Sequence, residues 1–179
     1  MTEVGAVYAQ ALYDLAVSED LTLPILEQLE VLQQSFAAEP DFVRLLGTPT
    51  LTKEERCKIL DDSFRGKVQP YLLNFLKILT EKGYMRHFSD CCIAYRNYYN
   101  RDKGILPVKV VSAVALTDNQ QMRLTEKLAA LTGKTIALDM CIDPQVLGGI
   151  RLDYDGKRLD DTVAHRLDAI GSVLKNTVL

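Results

Sequence analysis

The repeating pattern of apolar residues changes at Gly104, and this change divides the chain into two parts of different structure. Before Gly104, apolar residues return every three or four positions, which is the spacing of a helix with one buried face. After it, the segment ILPVKVVSAVAL is rich in β-branched residues and partly alternates, as a strand does. We therefore predict an α+β chain, with an N-terminal helical bundle at residues 1–104 and a small C-terminal α/β domain at 105–179.

Prolines and glycines divide the first part into five or six helices with short connections. Prolines stand in the first turn of three of these helices and glycines follow the ends of three: Pro24, Pro40, Pro70, Gly47, Gly66 and Gly83. Thr52 and Glu55 have the spacing of a capping box, which predicts a helix start at this point. Helices joined by short loops pack as an antiparallel bundle.

The second part alternates strands with helices. Thr117 and Gln120 predict a capped helix that ends before Gly133, followed by a strand over TIALDMCI and another over VLGGIRLDY. The pair Asp155-Gly156 predicts a hairpin turn. A last helix is expected from near Asp161, with one apolar face: Val163, Leu167, Ile170 and Leu174.

The distribution of charge disfavours a nucleic-acid-binding protein. The net charge of the 179 residues is −3, and no Lys or Arg precedes Arg44. Eight acidic residues lie in that stretch: Glu3, Asp14, Glu19, Asp20, Glu27, Glu30, Glu39 and Asp41. They predict a solvated face, with a basic partner as the alternative. No signal peptide or long apolar run is present, so we expect a cytoplasmic chain that meets the membrane only through a partner.

Motifs for catalysis, cofactors and metals are absent from the sequence. There is no phosphate-binding glycine loop and no nucleophile or zinc-protease motif. His87 and Cys91 share a helix face, but two ligands do not make a metal site. Gly148-Gly149 predicts a bulge or a close backbone approach, and Asp160-Asp161 a helix start. We expect no enzyme activity, no cofactor and no metal.

A basic and aromatic segment leaves one alternative function open. YRNYYNRDK could form a stacking surface for RNA, which would make the chain a helical RNA-associated adaptor that uses Tyr95, Arg96, Tyr98, Tyr99 and Arg101. The same residues also suit the end of a helix, where tyrosines cover a bundle edge and cations face the helix dipole. The hypothesis that the chain is an enzyme ranks third, because the sequence shows no catalytic site.

Two helical segments carry more apolar surface than a bundle helix needs. The first of these segments is VGAVYAQALYDLAV. Its polar residues and the serine that follows it form one narrow stripe along the helix: Gln10, Asp14 and Ser18. The segment from residue 70 to 83 has a similar stripe: Asn74, Lys77 and Glu81. Such helices either lie at the centre of the bundle or form a groove for a partner's amphipathic helix, and we favour the groove.

Four segments resemble the delta subunit of bacterial F-type ATP synthases and its mitochondrial counterpart, the oligomycin-sensitivity-conferring protein. They are YAQALYDLA, NFLKILTEKGYMRHF, VVSAVALTDNQ and IDPQVLGGIRLDYDGKRLDDTVAHRLDAI, in the family's order. Asp161-Thr162 departs from the family's usual Gly-Ser, which affects the local turn. The resemblance implies a six-helix N-terminal domain whose first and fifth helices bind the N-terminal helix of an alpha subunit.

The same resemblance implies a C-terminal domain that binds the b-subunit stalk. The chain would be a non-catalytic stator subunit, attached to the cytoplasmic side of the cell membrane through the complex. By linking the catalytic head to the stalk, it would couple ion-driven rotation to ATP synthesis.

Helical spacing separates a core row from the rows assigned to the partner. On the fifth helix Leu72, Leu76 and Leu79 form the expected core row. The rows that carry tyrosine are assigned to the alpha-subunit helix, because tyrosine suits a surface that is wet until a partner covers it. These rows are Val4, Tyr8, Ala11 and Leu15 on the first helix, and Tyr71, Phe75 and Ile78 on the fifth. Replacing Phe75 by alanine or Tyr8 by aspartate is expected to weaken binding to the head and to leave the fold intact.

Overall fold

A computed structural model describes residues 2–48, 51–163 and 165. The chain divides into two compact units, residues 1–99 and 100–179. Together the described residues contain seven α-helices and one four-stranded sheet, so the α+β class is confirmed. No helix among them is long and apolar enough to cross a bilayer.

Six helices precede the sheet in the chain. They are α1 (Glu3–Ser18), α2 (Thr22–Ala38), α3 (Pro40–Gly47), α4 (Lys53–Phe64), α5 (Pro70–Glu81) and α6 (Phe88–Asp102). A 3-10 turn, Met85–His87, joins α5 to α6. The division between the two units lies near the end of α6, a few residues before Gly104.

The predicted starts of α4 and α5 are confirmed by their first turns. The Thr52 hydroxyl accepts a hydrogen bond from the Glu55 N–H at 3.2 Å, and the Glu55 carboxylate accepts one from the Thr52 N–H at 2.8 Å. Pro70 opens α5, where a missing N–H costs nothing. The preceding N–H, that of Gln69, donates to the Gln28 side chain at 2.8 Å, so the start of α5 is held by α2.

The second unit is a sheet with one covering helix. Its elements are β1 (Ile105–Ser112), α7 (Asp118–Thr132), β2 (Thr135–Ile142), β3 (Ile150–Tyr154) and β4 (Lys157–Asp160). The strand order is β2-β1-β3-β4, with β1 and β2 parallel and the other pairs antiparallel. A buried cluster fills the space between the sheet and α7: Leu106, Val108, Val110, Leu128 and Leu152.

The turns at both ends of β3 show where the sequence prediction is right and where it is wrong. Asp155 and Gly156 have φ angles of 48° and 71°, and the predicted hairpin is confirmed. The strand predicted over VLGGIRLDY begins only at Ile150, because Pro144–Val146 form a 3-10 turn. The Asp143 carboxylate stabilises this turn by accepting the Gln145 N–H at 3.0 Å.

Gly149 makes the close backbone approach that the sequence predicts. Its φ angle is 78°, a region that side chains disfavour, and a Cβ at this position would overlap the Asp161 carbonyl oxygen. Beyond it, the Thr162 hydroxyl accepts a hydrogen bond from the His165 N–H at 3.2 Å, so threonine caps the local turn in this chain. The other predicted residues of the last helix, Leu167, Ile170 and Leu174, lie outside the described residues.

Candidate functional site

A groove of about 260 Å³ runs between α1 and α5 in the first unit. The two helices are antiparallel: Tyr8 near the start of α1 contacts Tyr84 beyond the end of α5, and Glu19 after α1 bonds Tyr71 in the first turn of α5. The groove is lined by Tyr8, Ala11, Leu12, Leu15, Tyr71, Asn74, Phe75 and Ile78. Its surface is therefore almost entirely apolar.

The orientation of α5 follows from its core row. Leu72, Leu76 and Leu79 are completely buried, as the spacing predicts. The positions one residue before each of them then face the side of the helix that α1 only partly covers. This places Tyr71, Phe75 and Ile78 in the groove.

Six of the seven residues assigned to the partner from the sequence line this one groove: Tyr8, Ala11, Leu15, Tyr71, Phe75 and Ile78. Ile78 is 45% exposed and Leu15 37%. The two tyrosines are half-buried, so apolar ring surface is available beside their hydroxyl groups. Val4 is half-buried and does not line the groove; it lies one turn before Tyr8.

Phe75 is buried more deeply than the sequence predicts, since its side chain is only 6% exposed. It forms the floor of the groove and belongs to the core of the first unit as well. This burial argues against the expectation that alanine at position 75 leaves the fold intact. We expect the substitution to destabilise the first unit as well, because it would open a cavity. Ile78 and Leu15 are the exposed apolar positions at which binding and folding can be separated.

Two lining residues, Leu12 and Asn74, were not in the predicted set. The signal for both was in the spacing, since each lies within the same two turns as its predicted neighbours. Leu12 is 3% exposed and, like Phe75, forms part of the floor of the groove. Asn74 is exposed and places an amide at the rim.

The electrostatics of the groove favour an apolar occupant. Among its lining residues only the two tyrosines are ionisable. The Tyr71 hydroxyl donates to the Glu19 carboxylate, and this hydrogen bond together with the negative charge raises the pKa of Tyr71. Both effects keep the phenol neutral, so no charge is buried when an apolar helix face covers it.

The start of α1 is fixed to α6 by a small polar cluster. The Thr2 hydroxyl accepts from the Gly5 N–H at 3.3 Å and donates to the Asp90 carboxylate at 2.8 Å. The Thr2 N–H also donates to Asp90, at 3.2 Å, and His87 Nδ1 lies 3.4 Å from the Thr2 hydroxyl. A Cβ on Gly5 would lie 2.7 Å from the Asp90 Cβ, so the two helices meet closely. This contact sets the position of one groove wall.

The cluster predicts an acid-sensitive start of α1. The hydrogen bond from the Thr2 hydroxyl is the main cause that holds the pKa of Asp90 below its ordinary value of 3.8. Because the folded pKa is the lower one, the stabilisation is present above pH 3.8 and is lost as the pH falls through the lowered value. We expect the amide protection of the first turn of α1 to fall in this window. Hydrogen exchange measures it; protection that persists unchanged well below this window would contradict the prediction.

A matched variant tests which group causes this loss of amide protection at low pH, called the acid step below. Asp90→Asn keeps the size of the side chain and removes the titrating charge. It should show weak protection of the first turn with no acid step in the same range. An acid step of the original size in this variant would assign the titration to another group.

The metal hypothesis for His87 and Cys91 has no support in the described residues, which contain no group of three or more potential ligands. Cys91 is 1% exposed, and burial raises the pKa of its thiol to about 11, so the thiolate that binds metals is disfavoured.

The RNA-adaptor hypothesis is contradicted by where the tyrosines of α6 lie. Tyr95 is completely buried and its hydroxyl donates to the Thr22 carbonyl at 3.0 Å. Tyr98 and Tyr99 pack against the same core, and Arg96 pairs with Glu30 at 2.8 Å. The fifth residue of that set, Arg101, is exposed near the end of α6. The rings that would have to stack on bases thus pack in or against the core of the first unit.

Comparison with known proteins gives a consistent picture over nearly the whole chain. The model of the ATP synthase delta (OSCP) subunit family matches residues 4–174. The chain is 30% identical over 176 residues to ATP synthase subunit delta 1 of Syntrophotalea carbinolica, which covers 98% of both chains. It is 26% identical over 172 residues to ATP synthase subunit delta of Clostridioides difficile, covering 96% of this chain and 95% of the relative.

A solved structure shares the fold. A chain in the mitochondrial ATP synthase hexamer of Toxoplasma gondii superimposes with a TM-score of 0.76 and 19% identity, covering 97% of this chain and 98% of that one. The similarity therefore includes both units of the chain and the helices that form the groove.

Proposed function

The chain belongs to the ATP synthase delta (OSCP) subunit family, and we propose that it ties the catalytic head of the enzyme to its peripheral stalk. As a member of that family it is a non-catalytic stator subunit of the F-type ATP synthase. In the proposed arrangement the groove between α1 and α5 binds the N-terminal helix of an alpha subunit. The second unit binds the C-terminal ends of the b subunits.

The observation that carries the proposal is the matching pattern of the two groove walls. On α1 the lining residues are at positions 8, 11, 12 and 15, and on α5 at 71, 74, 75 and 78. Both sets follow the i, i+3, i+4, i+7 spacing of a single helix face. Two such faces side by side leave room for the apolar face of a third helix, which is the helix-in-groove mode of recognition.

The stator role requires tight binding without catalysis. The head turns with the rotor unless it is held, so each link of the stator must resist torque through many turnovers. Full burial of an exposed leucine or isoleucine contributes about 1.5–3 kcal/mol, and Leu15 and Ile78, which are 37% and 45% exposed, can gain the part that remains. Because Leu15 and Ile78 are exposed in the free chain, their burial is gained only on binding.

In the proposed arrangement each unit of the chain has its own partner, and the complex gives the chain its location. The six helices α1–α6 form the bundle that holds the head, and the sheet with α7 serves the stalk. The chain lies on the cytoplasmic side of the membrane and reaches it only through the complex. It binds no nucleic acid and no cofactor.

A truncation of the partner tests the proposal. The full chain, labelled with a fluorophore, is titrated with the isolated catalytic head of the same organism. A second head lacks the first ~20 residues of its alpha subunits, a length that corresponds to a helix of about 30 Å. We expect saturable binding to the intact head and loss of binding to the truncated one. Equal affinity for both heads would show that the groove is not the site of attachment.

A further inference from the structure

The sheet of the second unit has two edges of different character. The edge strand β4 is only four residues long, Lys157–Asp160, and carries two cations. Short length and charge are devices that prevent an edge from pairing with another chain. The other edge strand, β2, runs for eight residues, Thr135–Ile142, with Asp139 as its one charged residue. It has none of these devices apart from that aspartate.

The outward hydrogen-bonding groups of β2 have no partner within the part of the chain that the structure describes. The Thr135 N–H donates to the Gly104 carbonyl at 3.0 Å and the Asp143 N–H to the Ser112 carbonyl at 2.9 Å, so the odd-numbered residues face β1. In a strand the even-numbered residues then direct their N–H and C=O groups away from the sheet. These are Ile136, Leu138, Met140 and Ile142.

A groove of about 480 Å³ lies beside this edge, between β2 and α7. It is lined by Asp118, Gln121, Met122, Thr125, Glu126, Ile136 and Leu138. Met122 is 63% exposed, which is unusual for a methionine next to two apolar strand residues. The side chains of an added strand would alternate, so every second one would enter this groove.

We propose that β2 takes up an extended segment of another subunit of the ATP synthase by β-strand addition. The segment has apolar side chains at alternate positions and at least one Lys or Arg. The apolar positions match Met122, Ile136 and Leu138, while the cation matches Asp118 and Glu126, since the groove lining has two carboxylates and no basic residue.

The same carboxylates disfavour a second copy of this chain as the occupant. Pairing two β2 edges would bring a second Asp118 and Glu126 to the same interface, and each chain already carries a net charge of −3. The proposal concerns the second unit alone. Its test does not depend on whether the groove between α1 and α5 binds an alpha subunit.

Hydrogen exchange of the full chain, free and in the assembled ATP synthase, tests the proposal. In the free chain the amides of Ile136, Leu138, Met140 and Ile142 should exchange rapidly, as amides without a hydrogen bond do. In the complex these four amides should exchange at least tenfold more slowly, because each of them gains a hydrogen bond to the added strand. Unchanged exchange in the complex would overturn the proposal. Slow exchange already in the free chain would also overturn it, because the edge would then be covered by this chain itself or by a second copy.

A pair of substitutions separates the backbone from the side chain. Leu138→Ala and Leu138→Pro both remove the leucine, but only proline removes the outward N–H, a loss that an edge strand tolerates. In competition with the labelled wild-type chain for an ATP synthase that lacks this subunit, we expect Leu138→Pro to bind at least tenfold more weakly than Leu138→Ala. Equal affinity would contradict strand addition.

Ile142→Pro repeats the test at a position whose side chain is 59% exposed, so the sheet keeps its core even if Leu138→Pro unfolds. Its expected result is the same loss of affinity with an unchanged circular dichroism spectrum. Wild-type affinity in a folded Ile142→Pro chain would count against the proposal.

Discussion

Replacing Ile78 by aspartate should weaken binding to the catalytic head at least about 100-fold, which corresponds to about 2.7 kcal/mol. Ile78 is 45% exposed in the free chain, so the new carboxylate remains hydrated there. On binding, the partner helix would bury that carboxylate against Leu15 and Tyr71 with no cation among the groove lining. The lost apolar contact and the uncompensated charge both oppose the complex. The free energy of unfolding should fall by no more than about 2 kcal/mol, from the loss of partly buried apolar surface and a carboxylate in the last turn of α5.

The chain offers a matched control for this substitution. Ile93 on α6 is 47% exposed and does not line the groove. Ile93→Asp makes the same chemical change at nearly the same exposure, with the same effect on net charge. It should leave the affinity for the head within about twofold. An equal loss in both variants would assign the effect of Ile78→Asp to charge in general rather than to the groove.

Replacing Phe75 by alanine should lower the free energy of unfolding of the first unit by about 3–5 kcal/mol. The ring is 6% exposed and packs in the same core cluster as Leu72, Leu76 and Leu79. Alanine leaves a cavity under the groove, because the surrounding helices relax only in part. For a unit of about 100 residues each kcal/mol lowers Tm by roughly 4–8 °C. Thermal unfolding followed by circular dichroism measures the change.

Phe75→Leu is the control, since leucine keeps most of the apolar volume. It should cost no more than about 1.5 kcal/mol. If Phe75→Ala unfolded at the wild-type temperature, the side chain would not belong to the core, and the groove would have no fixed floor. The two variants therefore test the packing that positions Ile78, without reference to any partner.

Local sequence signals predicted most of the fold, since they depend on few residues at fixed spacing. The capping boxes that begin at Thr52 and Thr117 place helix starts to the residue, and both are confirmed. The hairpin at Asp155-Gly156 follows from two residues that accept positive φ angles. These features required no knowledge of the rest of the chain.

The start of β3 and the end of β1 were not predictable in the same way. The apolar run that continues from β1 suggested a strand as far as Leu116, but β1 ends at Ser112. The buried Ser112 hydroxyl donates to the Val114 carbonyl at 2.7 Å and turns the chain. Both boundaries depend on a polar side chain that bonds to the backbone two residues away, as Ser112 and Asp143 do. An apolar run does not show whether such a side chain will turn the chain or leave the strand to continue.

The groove between α1 and α5 shows a different limit, which comes from contacts between distant parts of the chain. Helical spacing gives the direction in which Tyr71, Phe75 and Ile78 point, and all three line the groove. It does not give depth, because depth depends on how closely α1 approaches α5. For this reason Phe75 and Ile78 could not be told apart from the sequence, although one is buried and the other exposed. Val4 was included because it continues the row, but the groove begins one turn later.

The central claim is that the groove between α1 and α5 binds the N-terminal helix of an alpha subunit. Calorimetric titration of the full chain with a peptide of the first ~20 residues of that subunit, long enough for a helix of about 30 Å, tests it most directly. We expect saturable one-to-one binding to the wild-type chain and to Ile93→Asp, and binding at least about 100-fold weaker to Ile78→Asp. Wild-type affinity in Ile78→Asp, or no binding of the peptide to the wild-type chain at high micromolar concentration, would contradict the claim.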